Sequence, residues 1–169
     1  MEKMKTLTIE NFSKSEDDFV YDTKYDDKNL YIVRNNESIL YIGISETCIW
    51  SRWFSQRGSH MFFGYDFSLH GTSRIGKEIE DNIPNSLLWN IDLWSGKDAL
   101  DFLEIKNSWD DEKGKYKIFD PFIQVERLCD VRYVETLMIR YIHPKYNSMG
   151  NNWSEPNQYF LEKYLKLVS

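Results

Sequence analysis

Residues 29–60 read NLYIVRNNESILYIGISETCIWSRWFSQRGSH, and the rest of the chain is organised around them. Residues 30–33 and 39–42 are short runs of β-branched and aromatic side chains, which favour strands. Residues 34–38 between them are polar turn formers. Two such runs joined by a short polar loop predict a β-hairpin.

A helix is predicted directly after this hairpin. Apolar residues recur at helical spacing at Ile49, Trp50, Trp53 and Phe54. Ser45 or Thr47 is suited to be the N-cap, and Gly58 is suited to end the helix. Arg52 projects from its first turns. The stretch therefore places a guanidinium group close to the end of a two-stranded hairpin.

The composition is that of one folded domain. The chain has 169 residues, of which 41% are hydrophobic and 16% aromatic, enough to bury a core. The mean hydropathy of −0.58 argues against a membrane protein, as does the lack of an apolar run of about 20 residues. The N-terminus lacks a signal-peptide pattern, so we expect a cytoplasmic location.

Cys48 and Cys129 are too few for a disulfide framework or a zinc site, and we expect both to be buried.

The charge is acidic overall but unevenly distributed. The 27 Asp and Glu residues exceed the 21 Lys and Arg residues, which gives a net charge of −6 at pH 7. Because a protein that grips a long nucleic acid usually has a basic surface, this charge argues against extensive phosphate contacts. The acidic residues cluster at 16–27, 78–81 and 98–112. Basic residues fall near the hairpin and its helix, at Arg52, Arg57, Arg74 and Lys77.

Residues 1–28 are predicted to be a leader that packs on the domain through its aromatic side chains. They contain either a short strand around 7–12 or a helix that starts at Thr8, and the sequence does not distinguish the two. Residues 60–71, HMFFGYDFSLHG, are rich in aromatic residues and glycine. They predict a loop or an irregular strand that serves as a flap.

The middle of the chain predicts one helix and one strand. Thr72 or Ser73 caps the helix, and the proline and asparagine at 84–85 end it. Its core side consists of Ile75, Ile79 and Ile83. Residues 86–93 alternate in polarity, and we expect them to form a third strand that pairs with the hairpin.

Residues 95–120 are predicted to be an insertion with a short helix capped by Ser95 or Asp98 and an exposed turn at 110–114. A final helical region is expected to begin at 120–121, with 124–129 leading into a helix over 131–142. The apolar stripe of that helix is Val134, Leu137, Met138 and Tyr141, with Glu135 at its edge. Residues 151–169 are expected to be a C-terminal helical extension, helical over 159–168.

Four pieces of this sequence, in order, resemble the GIY-YIG nuclease family. The first signature is present in altered form at 30–33, and the second is intact as Tyr41-Ile42-Gly43. Arg52 follows at the distance of the family's helix arginine. Residues 135–147, ETLMIRYIHPKYN, resemble the family's closing helix, in which a metal-binding glutamate precedes an apolar turn, a proline and an asparagine.

The resemblance implies an α/β (α+β) fold and a metal-dependent DNA endonuclease. Residues 29–150 would form the nuclease domain, with a small, mainly antiparallel three-stranded sheet flanked by helices. Glu135 would hold one Mg²⁺ or Mn²⁺ ion, which suits a hard oxygen ligand. Tyr31 would deprotonate the attacking water, and Tyr41 would orient the water or a phosphate. Arg52 would stabilise the charge that builds at phosphorus, and the products would be a 5′ phosphate and a 3′ hydroxyl.

Further residues are assigned to the site on the same resemblance. Asn147 is expected to brace the site through amide hydrogen bonds, and His60 to contact a phosphate or to assist proton transfer. Gly43 would let the substrate approach the backbone, or would simply permit a β-bulge. Gln56 is a further candidate substrate-binding residue. Arg57, Arg74 and Lys77 are candidates because their positive charges fall near the proposed active face. The sequence departs from the family at Gln56, where relatives often carry His or Tyr, and at Ile44, where many carry lysine.

Two alternatives to an enzyme remain open. The first is a non-catalytic module that binds nucleic acid or protein on a nuclease scaffold with a degenerate site, and the acidic charge and both departures favour it. The second is an acidic DNA mimic that acts as an inhibitor, which leaves the order of tyrosines, arginine, glutamate and asparagine unexplained. The sequence also leaves open a homodimer or a protein partner. Because we find no appended recognition module, we do not expect high sequence specificity.

Overall fold

A computed structural model of the chain describes residues 4–20, 29–46, 48–54, 73–147 and 155–169. The predicted flap and the predicted helix end at Gly58 lie outside these ranges, as does the end of the leader. In chain order the described elements are β1 Lys5–Thr8, α1 Ile9–Ser13, α2 Glu16–Val20, β2 Leu30–Arg34, β3 Ile39–Ile44, α3 Ile49–Trp53, α4 Arg74–Asp81, a 3-10 helix Asn85–Leu88, β4 Asn90–Trp94, α5 Gly96–Phe102, β5 Asn107–Asp110, β6 Lys115–Asp120, β7 Val125–Cys129, α6 Val131–Ile142 and α7 Gln158–Val168.

The main sheet has four strands in the order β1-β4-β2-β3, and all neighbours are antiparallel. The predicted hairpin is confirmed as β2 and β3. The prediction of three strands is corrected by β1, which pairs with β4 and places Thr6 opposite Asp92. Thr8 caps α1 by accepting from Asn11 N–H, so the helix start at Thr8 is confirmed. The strand expected around 7–12 is wrong in position, because the strand ends at Thr8 and residues 9–13 are helical.

The strand expected over 86–93 is shorter than predicted. Its first half is a 3-10 helix, and β4 begins only at Asn90. The hydroxyl of Ser86 donates to the carbonyl of Ile79 at 2.6 Å, which ties this segment back to α4. Leu88, which lies within the predicted strand, is 71% exposed.

Helices cover both faces of the main sheet. Side chains alternate between the two faces along each strand, so every strand contributes to both. One face carries Leu30 and Ile32 and packs against α5, α6 and α7. The other carries Tyr31 and Val33 and packs against α1, α3 and α4. The molecule therefore has two cores separated by one sheet, and Tyr31 belongs to the second.

A second sheet is formed by residues of the predicted insertion together with residues that were predicted to begin a helical region. Strands β5, β6 and β7 form an antiparallel meander in that order. The prediction of a helical region from 120–121 is wrong. The Asp120 carboxylate accepts from the N–H groups of Phe122 and Ile123, which stabilises a turn there instead. Gln124 completes it with a left-handed φ of 56°. The exposed turn at 110–114 and the Ser95 cap of α5 are confirmed.

The remaining helices follow the predicted patterns with small differences. Ser73 caps α4, whose Ile75 and Ile79 are buried, but Ile83 is 40% exposed because the helix has already ended. Helix α6 begins after the Asp130 N-cap and spans the predicted range. In α7, Phe160 and Tyr164 are buried.

The two cysteines differ in their surroundings. Cys129 is buried as predicted, whereas Cys48 is only half-buried, and both are free thiols. Burial raises the pKa of Cys129 to about 11. Within the described ranges, no helix combines the length and apolar character that crossing a membrane requires.

Candidate active site

The hairpin brings Tyr31 and Gly43 directly opposite each other on β2 and β3. The ring of Tyr31 lies across position 43, where an added Cβ would come within 2.6 Å of the Tyr31 hydroxyl. Tyr41 stacks beside it, with ring centroids 6.3 Å apart. Gly43 therefore makes room for the Tyr31 ring, which is a different role from the predicted approach of substrate to the backbone.

Arg52 reaches the same place from α3. Its Nε donates to the hydroxyl of Tyr31 at 3.3 Å, and its side chain also hydrogen bonds Tyr41. Two serine hydroxyls that donate hydrogen bonds to the same backbone carbonyl stabilise the turn that leads into α3. Ser45 Oγ and Ser51 Oγ donate to the Cys48 oxygen at 2.5 and 2.9 Å.

The outer edge of β3 is closed by the segment that follows α6. The N–H of Tyr146 donates to the carbonyl of Leu40 at 2.8 Å. The amide of Asn147 then makes a double hydrogen bond with Ile42, because Oδ1 accepts from its N–H at 2.8 Å and Nδ2 donates to its carbonyl at 2.9 Å. Asn147 is buried. It thus holds the end of α6 against β3, which carries Tyr41 and Gly43.

Glu135 lies beside the same strand edge. The backbone N–H of Ile44 donates to its carboxylate, and its charge interacts with Arg52 and with both tyrosines. Burial raises the pKa of Glu135 to about 7, although Arg52 and Arg132 act against this rise. Side chains from β2, β3, α3 and α6 therefore meet in one place: Tyr31, Tyr41, Arg52 and Glu135.

The electrostatics of the two phenols are dominated by burial. Tyr31 is fully buried, and its pKa lies well above the ordinary value because burial outweighs the effect of Arg52. The pKa of Tyr41 is raised for the same reason. Both hydroxyls are thus protonated near neutral pH, and of these three oxygen acids Glu135 is the one that titrates near pH 7.

Two further sequence-predicted residues, Arg74 and Lys77, lie on α4. Arg74 pairs with Glu78 at 3.0 Å and lies over the ring of Tyr146 at 4.9 Å, so it contacts the segment that closes β3. Lys77 is exposed on α4. The residues that lie outside the described ranges are Gln56, Arg57 and His60.

Glu135 is the candidate metal ligand in this arrangement. In the described part of the chain, no group of three or more His, Cys, Asp or Glu side chains is placed to hold a metal ion. A single carboxylate suits Mg²⁺, which typically keeps several waters and takes phosphate oxygens from the substrate. The raised pKa of Glu135 fits this use, because a cation beside the carboxylate would relieve the cost of its buried charge.

Sequence reasoning missed two charged residues at the rim of the cluster. Arg132 and Glu46 form an ion pair that joins the start of α6 to the turn after β3, and both influence Glu135. Arg132 had a usable signal, because residues three apart on a helix share a face and it precedes Glu135 by that spacing. Glu46 had none, since only the folded chain brings it to α6.

Comparison of the chain with family models, curated proteins and solved structures found no significant match. The site is therefore interpreted from its own geometry.

Proposed function

We propose that this chain is a metal-dependent endonuclease that hydrolyses phosphodiester bonds in DNA on a GIY-YIG-like fold. The observation that carries the proposal is the meeting of Tyr31, Tyr41, Arg52 and Glu135, which come from four separate elements. A guanidinium, two phenols and a carboxylate are the groups that such a reaction needs for charge stabilisation, orientation and metal binding.

Arg52 supplies the positive charge in this mechanism. Hydrolysis of a phosphodiester adds negative charge at phosphorus in the transition state, and a guanidinium can pair with two of its oxygens. Arg52 is held between the tyrosine hydroxyls, so its position is set before substrate binds. This preorganisation is what makes such a donor effective, and removing one typically costs about 100- to 1000-fold in rate.

Glu135 supplies the ligand for one Mg²⁺ or Mn²⁺ ion. When bound, the ion would neutralise phosphate charge and lower the pKa of a coordinated water. The carboxylate is oriented by the Ile44 N–H, and α6 is held on β3 by Asn147. Tyr41 orients the water or a phosphate oxygen through its hydroxyl.

Tyr31 accepts the proton from water only when enough positive charge faces it. Arg52 already lowers its pKa, against the larger effect of burial. A divalent cation beside Glu135 would add a second positive charge in the same place and favour the phenolate. The proposed role of Tyr31 therefore depends on metal binding.

The burial of Tyr31 also favours a second candidate function. A phenol that stays protonated and inaccessible cannot take a proton from water, and the same scaffold would then bind nucleic acid or protein without cutting it. This non-catalytic module predicts binding in the absence of cleavage, whereas the nuclease predicts both.

The test is incubation of the purified chain with plasmid, branched and single-stranded DNA in Mg²⁺, Mn²⁺ or EDTA. The nuclease predicts cleavage that requires metal and is lost in Arg52→Ala and in Glu135→Ala. Glu112→Ala and Lys113→Ala, at the exposed β5–β6 turn, are matched controls and should retain activity. Cleavage that survives both site changes would reject the assignment, and binding without cleavage would favour the second function.

A further inference from the structure

An exposed ion pair spans the rim of the candidate site. The guanidinium of Arg132, in the first turn of α6, donates to Oε1 of Glu46, in the turn after β3. The side chains are 68% and 58% exposed, so water surrounds both. Exposed pairs of this kind contribute little to stability. The pair can therefore open at low cost.

Both members of the pair influence Glu135. Arg132 lies on the same face of α6 as Glu135, one turn earlier. Glu46 follows Ile44, whose N–H donates to the Glu135 carboxylate. Arg132 lowers the pKa of Glu135 and Glu46 raises it, as expected for opposite charges near the same carboxylate.

We propose that Arg132 binds a backbone phosphate of DNA beside the scissile one, and that Glu46 holds the Arg132 guanidinium until this phosphate replaces it. The inference rests on the proposed function. A carboxylate and a phosphate offer a guanidinium the same paired oxygen acceptors, so one can be exchanged for the other without moving the arginine. Glu46 thus acts as a placeholder for the substrate.

The exchange accounts for two features of the sequence. The chain carries a net charge of −6, so phosphate contacts depend on local cations instead of an overall basic surface. Ile44 also leaves the strand end without the lysine that the resemblance leads one to expect. Arg132 provides a cation at the same end of β3, since its partner Glu46 is in the turn that immediately follows.

The experiment measures binding of the full chain to a short fluorescent DNA duplex as a function of salt, in EDTA and in Ca²⁺. The variants are Arg132→Gln, Glu46→Gln and the two combined. Glu112→Gln and Lys113→Gln make the same changes in net charge at the distant β5–β6 turn and serve as matched controls. Circular dichroism melts of every variant test whether the exposed substitutions leave the fold intact, which is the expected result.

Arg132→Gln should weaken binding and reduce the slope of log K against log salt by about 1, the value of one lost phosphate contact. Glu46→Gln should tighten binding several-fold, because it removes the competitor for Arg132. This gain should vanish in the Arg132→Gln background. An equal gain in both backgrounds would mean simple repulsion by Glu46 and would overturn the exchange, as would an unchanged slope in Arg132→Gln.

The same samples separate failure of this inference from failure of the proposed function. Wild-type protein that neither binds nor cuts DNA rejects both. Wild-type protein that cuts DNA while Arg132→Gln keeps its affinity and salt slope rejects only the role of Arg132. Binding without cutting, with the predicted slope change, rejects the nuclease but supports the phosphate contact.

Discussion

The ring of Tyr31 occupies the space that a side chain at position 43 would need. A Cβ at Gly43 would lie 2.6 Å from both Cζ and the hydroxyl oxygen of Tyr31, well inside van der Waals contact. Tyr31 itself is fully buried between the sheet and α3, against the edge of the Trp53 ring. The ring cannot move away without disturbing the core.

Gly43→Ala should therefore destabilise the protein by about 1–3 kcal/mol, the usual cost of overpacking a core. It should also displace the Tyr31 hydroxyl from Arg52 and reduce DNA cleavage. Urea denaturation measures the first effect and a cleavage assay the second. In a Tyr31→Ala background the ring is absent, so adding Gly43→Ala should cost almost nothing. An equal cost in both backgrounds would show that the ring is not the obstacle.

A second prediction concerns the double hydrogen bond between Asn147 and Ile42. Asn147→Ala leaves the N–H and the carbonyl of Ile42 without this partner in a buried position. Each such loss typically costs 1–3 kcal/mol, so we expect a total of about 2–6 kcal/mol in denaturant unfolding. Because the contact holds α6 on β3, cleavage should also fall.

Asn36→Ala is the matched control for this change. Asn36 is an exposed residue of the β2–β3 loop, and its loss should alter stability by less than about 0.5 kcal/mol. If Asn147→Ala were as mild as Asn36→Ala, the double hydrogen bond would not be what closes the edge of β3.

Local patterns predicted the hairpin and α6, because their burial follows directly from their own periodicity. The pattern could not reveal β1, whose four residues, KTLT, are only partly buried and form a strand by pairing with β4. Strand β7 likewise depends on β6, its partner in the second sheet. Its own sequence, VERLC, reads equally well as a helix start. Long-range pairing overrode local preference in both cases.

The candidate site was predictable only through the resemblance, since no local rule brings Arg52 and Glu135 together. The structure adds what spacing cannot show. Tyr31 is buried enough to raise its pKa, and Gly43 is needed for its ring. Glu46 could not be found because its partner Arg132 is distant in the chain and meets it only across the β3–α6 edge.

A third prediction concerns a buried polar network on the opposite face of the sheet. The Asp92 carboxylate is fully buried and accepts from Thr6 Oγ1 at 2.6 Å, from Arg34 Nε at 2.8 Å and from the Tyr164 hydroxyl of α7. Asp92→Asn removes the charge that pairs with Arg34, which is itself only 11% exposed. We expect a loss of about 3–5 kcal/mol in the free energy of unfolding, as for other broken buried pairs.

Tyr164→Phe should cost less, about 1–2 kcal/mol, because Asp92 keeps its other two partners. Tyr159→Phe, at a 58% exposed position of the same helix, is the control and should be nearly neutral. Since this network faces away from Tyr31, the salt dependence of DNA binding should not change in Tyr164→Phe. A changed salt slope would show that the network reaches the site.

The last prediction follows from the pKa of Glu135, which burial raises from 4.5 to about 7. Between these values the folded protein binds more protons than the unfolded chain, so stability falls as pH rises. The contribution of Glu135 is thus fully present below about pH 4.5 and is lost as pH rises through about 7. A bound divalent cation would restore stability at high pH, because it binds only the folded state.

Glu135→Gln should therefore melt at the same temperature as the wild type near pH 4.5 and at a higher temperature at pH 8, where the wild type carries the costly buried charge. Thermal melts across this range measure the difference. Glu112→Gln removes an exposed carboxylate and should track the wild type at every pH. Addition of Mn²⁺ at pH 8 should raise the melting temperature of the wild type but not that of Glu135→Gln. Parallel curves for wild type and Glu135→Gln would mean that the carboxylate is well solvated, and would contradict the raised pKa of Glu135.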